Sequence, residues 1–279
     1  TPTLVDSNFD GVIDYAYAGD FGGGLYRFDL TSPNSNNWTV NKIFQTPDNR
    51  PITSAPAIHR KSISNYTVMV GTGSEIYQED LASKTPQALY AIFDDTTITG
   101  PAANINPAYL LEQQLTSGTV NSPSEGSITV RKVTNNAIVP DRHKGWMVNL
   151  DANSGERVTV KPSVMGNTLL LTTRVYEQTI TSNTGDDPCL AQTQRASSSA
   201  YSWIMQLSTS NGGLMAANNK SVYTDFNLGD QSKFSLSGSQ EQYMISGRKL
   251  DNLTSLTLID KLMEGFSVST SGDSGGTGE

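Results

Sequence analysis

The sequence is poor in the residue types that usually carry metal chemistry or covalent cross-links. One cysteine, Cys189, and two histidines occur among 279 residues. A single cysteine cannot form a disulfide within the chain, and a zinc site needs three or four clustered ligands. Because His59, His143 and Cys189 are far apart in sequence, we expect no zinc centre. A disulfide from Cys189 to another chain stays open.

Charged residues are also scarce, and their balance is acidic. They make up 16% of the chain, the formal net charge is −8, and the pI is about 4.8. This balance argues against a nucleic-acid partner, because phosphate binding needs a basic surface. No apolar run approaches the roughly 18 residues of a membrane-spanning helix, so we expect no membrane span in this chain.

Two kinds of enzyme are disfavoured. The sequence GDSGG (272–276) resembles the nucleophile segment of serine proteases, but neither histidine lies in a context suited to a triad. A quinoprotein dehydrogenase, which is a ring-shaped β-propeller, would need a catalytic carboxylate beside a metal on the axis of its full ring of blades. The carboxylate cluster in this sequence, at 6–14, is instead predicted to lie in a hairpin loop at the edge of a blade. We therefore expect a protein that is not an enzyme.

Extended segments recur along the chain in a fixed order. The first strand of a unit starts at Pro2, Pro56 or Pro162, which suits proline because the first residue of a strand needs no ladder N–H. A second apolar run and an aromatic third strand follow. We predict third strands at 25–30, 89–94, 145–151 and 202–208, with the aromatics Tyr26, Tyr90, Trp146 and Trp203. More polar fourth strands are predicted at 38–44, 156–160 and 220–226.

Repeated units of four short antiparallel strands are typical of propeller blades. The sequence therefore predicts an all-β, β-propeller fold with about four blades, and we favour it over a β-sandwich. We assign residues 1–265 to the propeller and 266–279 to a disordered tail. Since a closed propeller usually has more blades and the chain begins inside a predicted strand, we expect it to be part of a larger propeller.

The most specific feature is the stretch DSNFDGVID (6–14), in which oxygen-bearing groups alternate with other residues. Asp6, Asn8, Asp10, the backbone carbonyl of Val12 and Asp14 have the spacing of ligands in an EF-hand calcium loop. Three carboxylates and two neutral oxygens suit a hard cation. We predict that these five groups bind Ca²⁺; the alternative is an Asx-rich turn that binds no ion.

The loop differs from an EF-hand beyond its ninth position. Gly11 occupies the sharp turn, but the twelfth position is Tyr17 instead of a bidentate Glu. Residues 12–18 alternate between two faces, which indicates a strand. We therefore predict a calcium loop inserted in a blade hairpin, with an affinity nearer the micromolar-to-millimolar range of extracellular sites.

Five groups of residues follow one another along the chain: DSNFDGVIDYAYAGDFGGGLYRFDL, VMVGTG with QALYAIFDD, the series YLLEQQLT, VRKV and KGWMVNLD, then GERVTVKPSVMGNTLLLTTRV, and DDPC with SWIMQL. In this order they resemble the C-terminal propeller domain of the PilC/PilY family of type IV pilus biogenesis factors and tip adhesins. The resemblance covers roughly residues 1–210, and the remainder matches poorly.

This resemblance implies a modified quinoprotein-like propeller that is exported through the periplasm to the pilus tip or outer membrane surface. It implies minor pilins of the pilus tip complex as partners. It also implies a calcium loop, with ligands at Asp6, Asn8, Asp10, Val12 and Asp14, that controls pilus extension and retraction and thereby twitching motility and adhesion.

Some properties of the family do not carry over. An RGD integrin-binding sequence and the von Willebrand A-like half are absent from this chain, so a host-cell receptor stays open as a partner. The alternative function is an integrin-α-like or lectin-type propeller that binds an extracellular protein or glycan. Such propellers repeat the D-x-D-x-D-G loop, whereas residues 56–80 and 162–180 contain none. A third alternative is a purely structural propeller in which calcium acts as a staple.

Overall fold

The computed structural model describes residues 1–122, 126–150, 154–182, 194–214 and 247–251. Within these ranges the chain forms fifteen strands and six short 3-10 helices, without an α-helix, so the all-β prediction is confirmed. The 3-10 helices lie in connections between strands, at Ser35–Asn37, Pro47–Asn49, Gln78–Ala82, Gly100–Ala103, Pro107–Tyr109 and Pro140–Arg142. Among the described residues, no helix has the length and apolarity required to cross a membrane.

The first sheet contains four consecutive antiparallel strands in the order β1-β2-β3-β4. Their bounds are Thr3–Val5, Tyr15–Gly19, Gly24–Asp29 and Thr39–Gln45. All four were predicted from the recurring order of extended segments along the chain. The turn between β2 and β3 is tight, and Gly23 adopts a φ of 80° there, a conformation that glycine accepts at little cost.

The second sheet has five strands in the order β5-β6-β7-β11-β8. They span Ala57–Arg60, Asn65–Gly71, Ala88–Asp95, Gly145–Asn149 and Leu110–Gln113. Trp146 lies in β11, which pairs antiparallel with β7 and parallel with β8. The prediction that Trp146 marks a third strand is thereby corrected, because β11 is the fourth strand of this sheet.

The third sheet contains six strands in the order β12-β13-β14-β15-β10-β9. They span Ser163–Met165, Thr168–Ser182, Gln194–Ser208, Gly247–Asp251, Gly126–Val133 and Leu115–Ser122. Strands β13 and β14 pair in register from Thr168↔Ser208 to Ser182↔Gln194. The described residues therefore form three sheets, with Tyr26, Tyr90 and Trp203 each in a third strand.

The fourth strand predicted at 156–160 is not present. Arg157 forms a single bridge with Arg174, and Val158 donates its N–H to the carbonyl of Thr72. Glu156, Arg157 and Val158 are nevertheless buried. This segment crosses between the second and third sheets. Its side chains pack in the contact between the two sheets, but its backbone forms no strand ladder there.

Two hydrophobic cores lie between successive sheets. The first core joins Tyr17, Leu25 and Phe44 of the first sheet to the second sheet, and the second core joins the second sheet to the third. Strand β6 contributes to both, since Val68 and Val70 belong to the first core and Met69 to the second. A strand buried on both faces reads as a continuous apolar run, which explains the sequence VMV.

A buried ion pair accompanies each core. Arg27 of β3 contacts Asp94 of β7 at 2.6 Å, and both side chains are almost completely buried. Arg131 of β10 forms two hydrogen bonds of 2.6 and 2.7 Å with Glu156, and its guanidinium lies 3.8 Å from the ring centroid of Trp203. Charged groups therefore link distant segments within the core.

Several predicted features lie outside the described residues. They are the fourth strand at 220–226, Cys189, GDSGG at 272–276, the boundary at 265 and the tail 266–279.

Candidate functional site

The predicted calcium loop connects β1 to β2 at one end of the first sheet. The N–H of Asp14 donates to the carbonyl of Val5 at 2.9 Å, which closes the base of the loop. The carbonyl of Asp14 accepts from the N–H of Leu30 at 2.8 Å, which ties the same point to the end of β3. The prediction that this loop is inserted in a blade hairpin therefore agrees with its position.

Side-chain oxygens of the predicted ligands hold the backbone of the loop. The Asp6 carboxylate accepts hydrogen bonds from the N–H groups of Phe9 (2.6 Å) and Gly11 (2.8 Å). Asn8 Oδ1 accepts from the N–H of Asp10 at 2.9 Å. Phe9 and Gly11 have φ values of 64° and 87°, so the chain turns sharply where an ion-binding loop must turn.

Asp10 and Asp14 complete this network. Asp10 Oδ1 accepts from the N–H of Val12 at 2.8 Å. Asp14 Oδ2 accepts from both the N–H and the hydroxyl of Ser7, at 2.7 and 2.5 Å. Ser7 is not among the predicted ligands. It is buried, and its two hydrogen bonds fix the orientation of the Asp14 side chain.

The loop concentrates negative charge. Desolvation, the largest single influence, raises the pKa of Asp6, but hydrogen bonds from the N–H groups of Gly11, Phe9, Asp10 and Asn8 together lower it below its usual value. Asp6 therefore stays ionised. In the part of the chain that the structure describes, no ion pair involves Asp6, Asp10 or Asp14.

The donor chemistry of the loop fits Ca²⁺. Carboxylate, amide and carbonyl oxygens are the ligands this ion takes, and an ionised carboxylate has about four lone-pair sites, more than the loop amides use. Within the described ranges, however, no three His, Cys, Asp or Glu side chains are gathered as in a formed metal site. The structure therefore shows a sharply turned loop that carries three carboxylates. The ligand set Asp6, Asn8, Asp10, Val12 and Asp14 stays a prediction.

Arg60 connects the loop to the second sheet, a role that sequence analysis missed. Its guanidinium donates to the carbonyl of Ser7 at 2.7 Å and lies 4.5 Å from the ring centroid of Phe9. Arg60 is the last residue of β5. A basic residue at the end of a predicted strand was the available signal, but its partner 53 residues away could not be read from the sequence.

The histidines lie in different environments. Burial, followed by the charge of Lys61, lowers the pKa of His59 in β5. His143 Nδ1 accepts the N–H of Val139 at 2.9 Å and so caps a turn. Neither belongs to a metal-binding group among the described residues.

Comparisons with known proteins give a consistent match. The family model described as PilY1 beta-propeller domain matches residues 1–122. A type IV pilus biogenesis factor PilY1 of Pseudomonas aeruginosa is 31% identical over an alignment 264 residues long, and the match covers 76% of this chain and 21% of that protein. The corresponding protein of strain PAK is 28% identical, and the match covers 98% of this chain and 25% of that protein.

More distant and structural matches agree. A PilY1 homolog of Xylella fastidiosa is 26% identical over 226 residues, covering 77% of this chain and 17% of that protein. The crystal structure of the Pseudomonas aeruginosa PilY1 C-terminal domain matches with a TM-score of 0.64 and 25% identity, covering 90% of this chain and 55% of that one. The chain thus spans about a quarter or less of the curated relatives. Together these matches confirm the predicted β-propeller fold.

Proposed function

Because the chain belongs to the PilY1 family of type IV pilus biogenesis factors and matches its C-terminal β-propeller domain, we propose that it is a non-enzymatic, calcium-binding propeller that regulates pilus function. The processes concerned are pilus extension and retraction, twitching motility, and adhesion to surfaces or host cells. The observation that supports this most directly is the charged loop at 6–14, which is built into the first hairpin and anchored by Arg60 to the neighbouring sheet.

The mechanism is a change in order of the loop. Without a cation, the negative charges of Asp6, Asp10 and Asp14 repel one another across the loop. Calcium held by these carboxylates, Asn8 and the Val12 carbonyl neutralises that repulsion. An ordered loop keeps the Ser7 carbonyl and the Phe9 ring in place against Arg60, so the ion stabilises the contact between the first and second sheets.

The similarity to pilus biogenesis factors supports a proposal for the partners and the location. Minor pilins of the pilus tip complex are the proposed partners, with a host-cell receptor as a further possibility. The proposed location is extracellular, at the pilus tip or outer membrane surface.

The integrin-α-like or lectin alternative is less favoured. Those propellers carry calcium loops in several blades, but here the first hairpins of the second and third sheets have short connections, at 61–64 and 166–167. Among the described first hairpins, the carboxylate-rich loop occurs in the first sheet only, which suits one regulatory site better than a ring of structural sites.

Calorimetric titration of this chain with calcium tests the site. We expect saturable 1:1 binding that Asp10→Ala abolishes and that Asp141→Ala, a change at an exposed carboxylate in a different loop, leaves intact. Bound ion should stabilise the fold by RT ln(1 + [Ca]/Kd), about 2.7 kcal/mol at a hundredfold excess over Kd. No binding at millimolar calcium would remove the mechanism.

A pilus assay tests the regulatory role separately. Asp10→Lys places an ammonium group in the loop where the ion would be. If the full-length protein carrying Asp10→Lys supports twitching with unchanged calcium dependence, the proposed regulation is wrong even when calcium binding is real.

A further inference from the structure

Three large apolar side chains are exposed at the opposite end of the first two sheets from the calcium loop. Phe21, in the turn between β2 and β3, is 51% exposed, and Ile76 and Tyr77, in the connection between β6 and β7, are 63% and 58% exposed. The rings of Phe21 and Tyr77 meet edge-on, with centroids 6.0 Å apart and an interplanar angle of 88°. We call these three residues the aromatic patch.

The turn that presents Phe21 is tightly held. Asp20 Oδ1 accepts the N–H of Gly24 at 2.7 Å, and its carbonyl accepts the N–H of Gly23 at 3.2 Å. A Cβ on Gly23 would lie 2.0 Å from Thr46 Oγ1, so the turn packs directly on the segment that leads to the second sheet. The backbone that presents Phe21 is therefore held in place, while the Phe21 side chain stays exposed.

The loop that presents Ile76 and Tyr77 is held from both sides. The Asp80 carboxylate accepts the N–H groups of Ile76 and Tyr77, each at 3.0 Å. Beneath the loop, the buried guanidinium of Arg157 donates to the carbonyls of Ser74 (3.0 Å) and Ser83 (2.8 Å), and also to that of Asp80.

A rigid exposed apolar surface has a physical cost that an interaction would offset. Single exposed apolar side chains are common, but contiguous ones usually mark interaction sites. Burial of apolar area contributes about 25 cal/mol per Å², and a backbone that is already ordered loses little conformational entropy on binding. The bonds made by Asp80 and Arg157 thus favour docking at the aromatic patch.

The charge around the patch indicates what kind of partner fits. Asp20 adjoins Phe21, and the exposed Glu79 lies two residues from Tyr77. The nearby basic groups are engaged elsewhere: Arg50 contacts Asp48 at 3.3 Å, and Lys84 Nζ donates to the carbonyls of Ser154 and Tyr176. A cation at this surface would therefore be attracted by the carboxylates and by the aromatic rings.

We propose that the aromatic patch is a docking surface for a segment of another protein that combines apolar side chains with Lys or Arg. A second copy of this chain fits less well, because a two-fold interface would place the same carboxylates against each other. The proposal does not rest on calcium binding, since the patch and the calcium loop lie at opposite ends of the first sheet.

Fluorescence anisotropy with defined peptides tests this proposal. The probe is a labelled short peptide in which Lys and Leu alternate, and the comparison peptides replace every Lys with Glu or every Leu with Ser. We expect saturable binding of the Lys–Leu peptide and weakening of at least about tenfold in Phe21→Ser and in Tyr77→Ser. Glu79→Lys should weaken binding while leaving both rings in place.

The matched control is Tyr109→Ser, which removes a 53% exposed tyrosine far from the patch. Thermal unfolding of each variant checks that the fold is kept. The proposal is overturned if the Lys–Leu peptide does not bind, if Tyr109→Ser weakens binding as much as Tyr77→Ser, or if the Glu–Leu peptide binds equally well. Sedimentation that shows a dimer disrupted by Phe21→Ser would instead identify a second copy as the occupant.

Discussion

At the scale of single residues, the buried contact between Arg27 and Asp94 is the most demanding one in the first core. Arg27 also donates to the carbonyls of Asp95 and Ile98, and the Tyr17 hydroxyl donates to Asp94 at 2.7 Å. Charges taken out of water are stable only when paired and hydrogen-bonded. Arg27 therefore joins its own strand, β3, to β7 and to the connection that follows β7.

Removal of Asp94 should be severely destabilising. Asp94→Ala leaves the Arg27 guanidinium buried without its counter-charge, and we expect the free energy of unfolding in urea to fall by about 3–5 kcal/mol. The exposed-site control Asp141→Ala should change it by less than about 0.5 kcal/mol. The double variant Arg27→Met, Asp94→Leu should recover part of the loss, because no charge remains buried. Equal losses in the single and double variants would contradict this account.

The sequence predicted individual residues well where their role is local. Each of Pro2, Pro56 and Pro162 directly precedes a strand, and the alternating oxygens of 6–14 form a hydrogen-bonded loop. The sequence did not predict the contacts of Arg27 or Arg60, because an arginine in or beside a strand is usually expected to be exposed to solvent. Their partners lie 67 and 53 residues away, and only the folded chain brings them together.

At the scale of elements, the connection between β6 and β7 shows how a loop can be rigid without regular secondary structure. Desolvation raises the pKa of Asp80, but hydrogen bonds from Ser74 and from the N–H groups of Tyr77 and Ile76, together with the charge of Arg157, hold it below its usual value. The ionised carboxylate is therefore the state that keeps the loop closed.

Hydrogen exchange should reveal this dependence on Asp80. In Asp80→Ala the amides of Ile76 and Tyr77 lose their acceptor, and since hydrogen bonds to charged groups are worth about 1.5–3 kcal/mol, we expect their exchange to accelerate by about tenfold or more. The amides of β6 itself serve as the internal control and should change little. Unchanged exchange at residues 76 and 77 would show that Arg157 alone holds the loop.

The order of strands was predictable only where neighbours in sequence are neighbours in space. The hairpins of the first sheet follow from alternation and from the turn residues between the strands. Trp146 was assigned incorrectly because the chain leaves β7 at Asp95 and returns to pair with it at Gly145. An aromatic strand looks the same in the third or fourth position, and no local pattern distinguishes the two.

At the scale of the whole molecule, the sheets are held together by interfaces that contain buried tyrosines as well as ions. Burial, followed by the nearby Asp94 charge, raises the pKa of Tyr17 well above its usual value. Burial also raises the pKa of Tyr66 and Tyr90, and it raises that of Tyr176, next to Glu75, to about 12. The folded chain therefore holds these phenolic protons more tightly than the unfolded chain, in which tyrosine titrates near pH 10.

The sign of the pH dependence follows from that difference. Below about pH 10 both states keep the protons and the tyrosines contribute their full stability. Above pH 10 the unfolded state loses the protons first, so the free energy of unfolding falls as pH rises, by about 1.4 kcal/mol per pH unit for each proton.

Tyr17→Phe removes one such proton. Although this variant also loses the hydrogen bond to Asp94 at neutral pH, its alkaline decline should be shallower by up to about 1.4 kcal/mol per pH unit, measured by urea unfolding between pH 9 and 11. Tyr109→Phe, at an exposed tyrosine, should keep the parent slope. A Tyr17→Phe slope equal to that of the parent would mean that the first core opens to solvent before Tyr17 ionises.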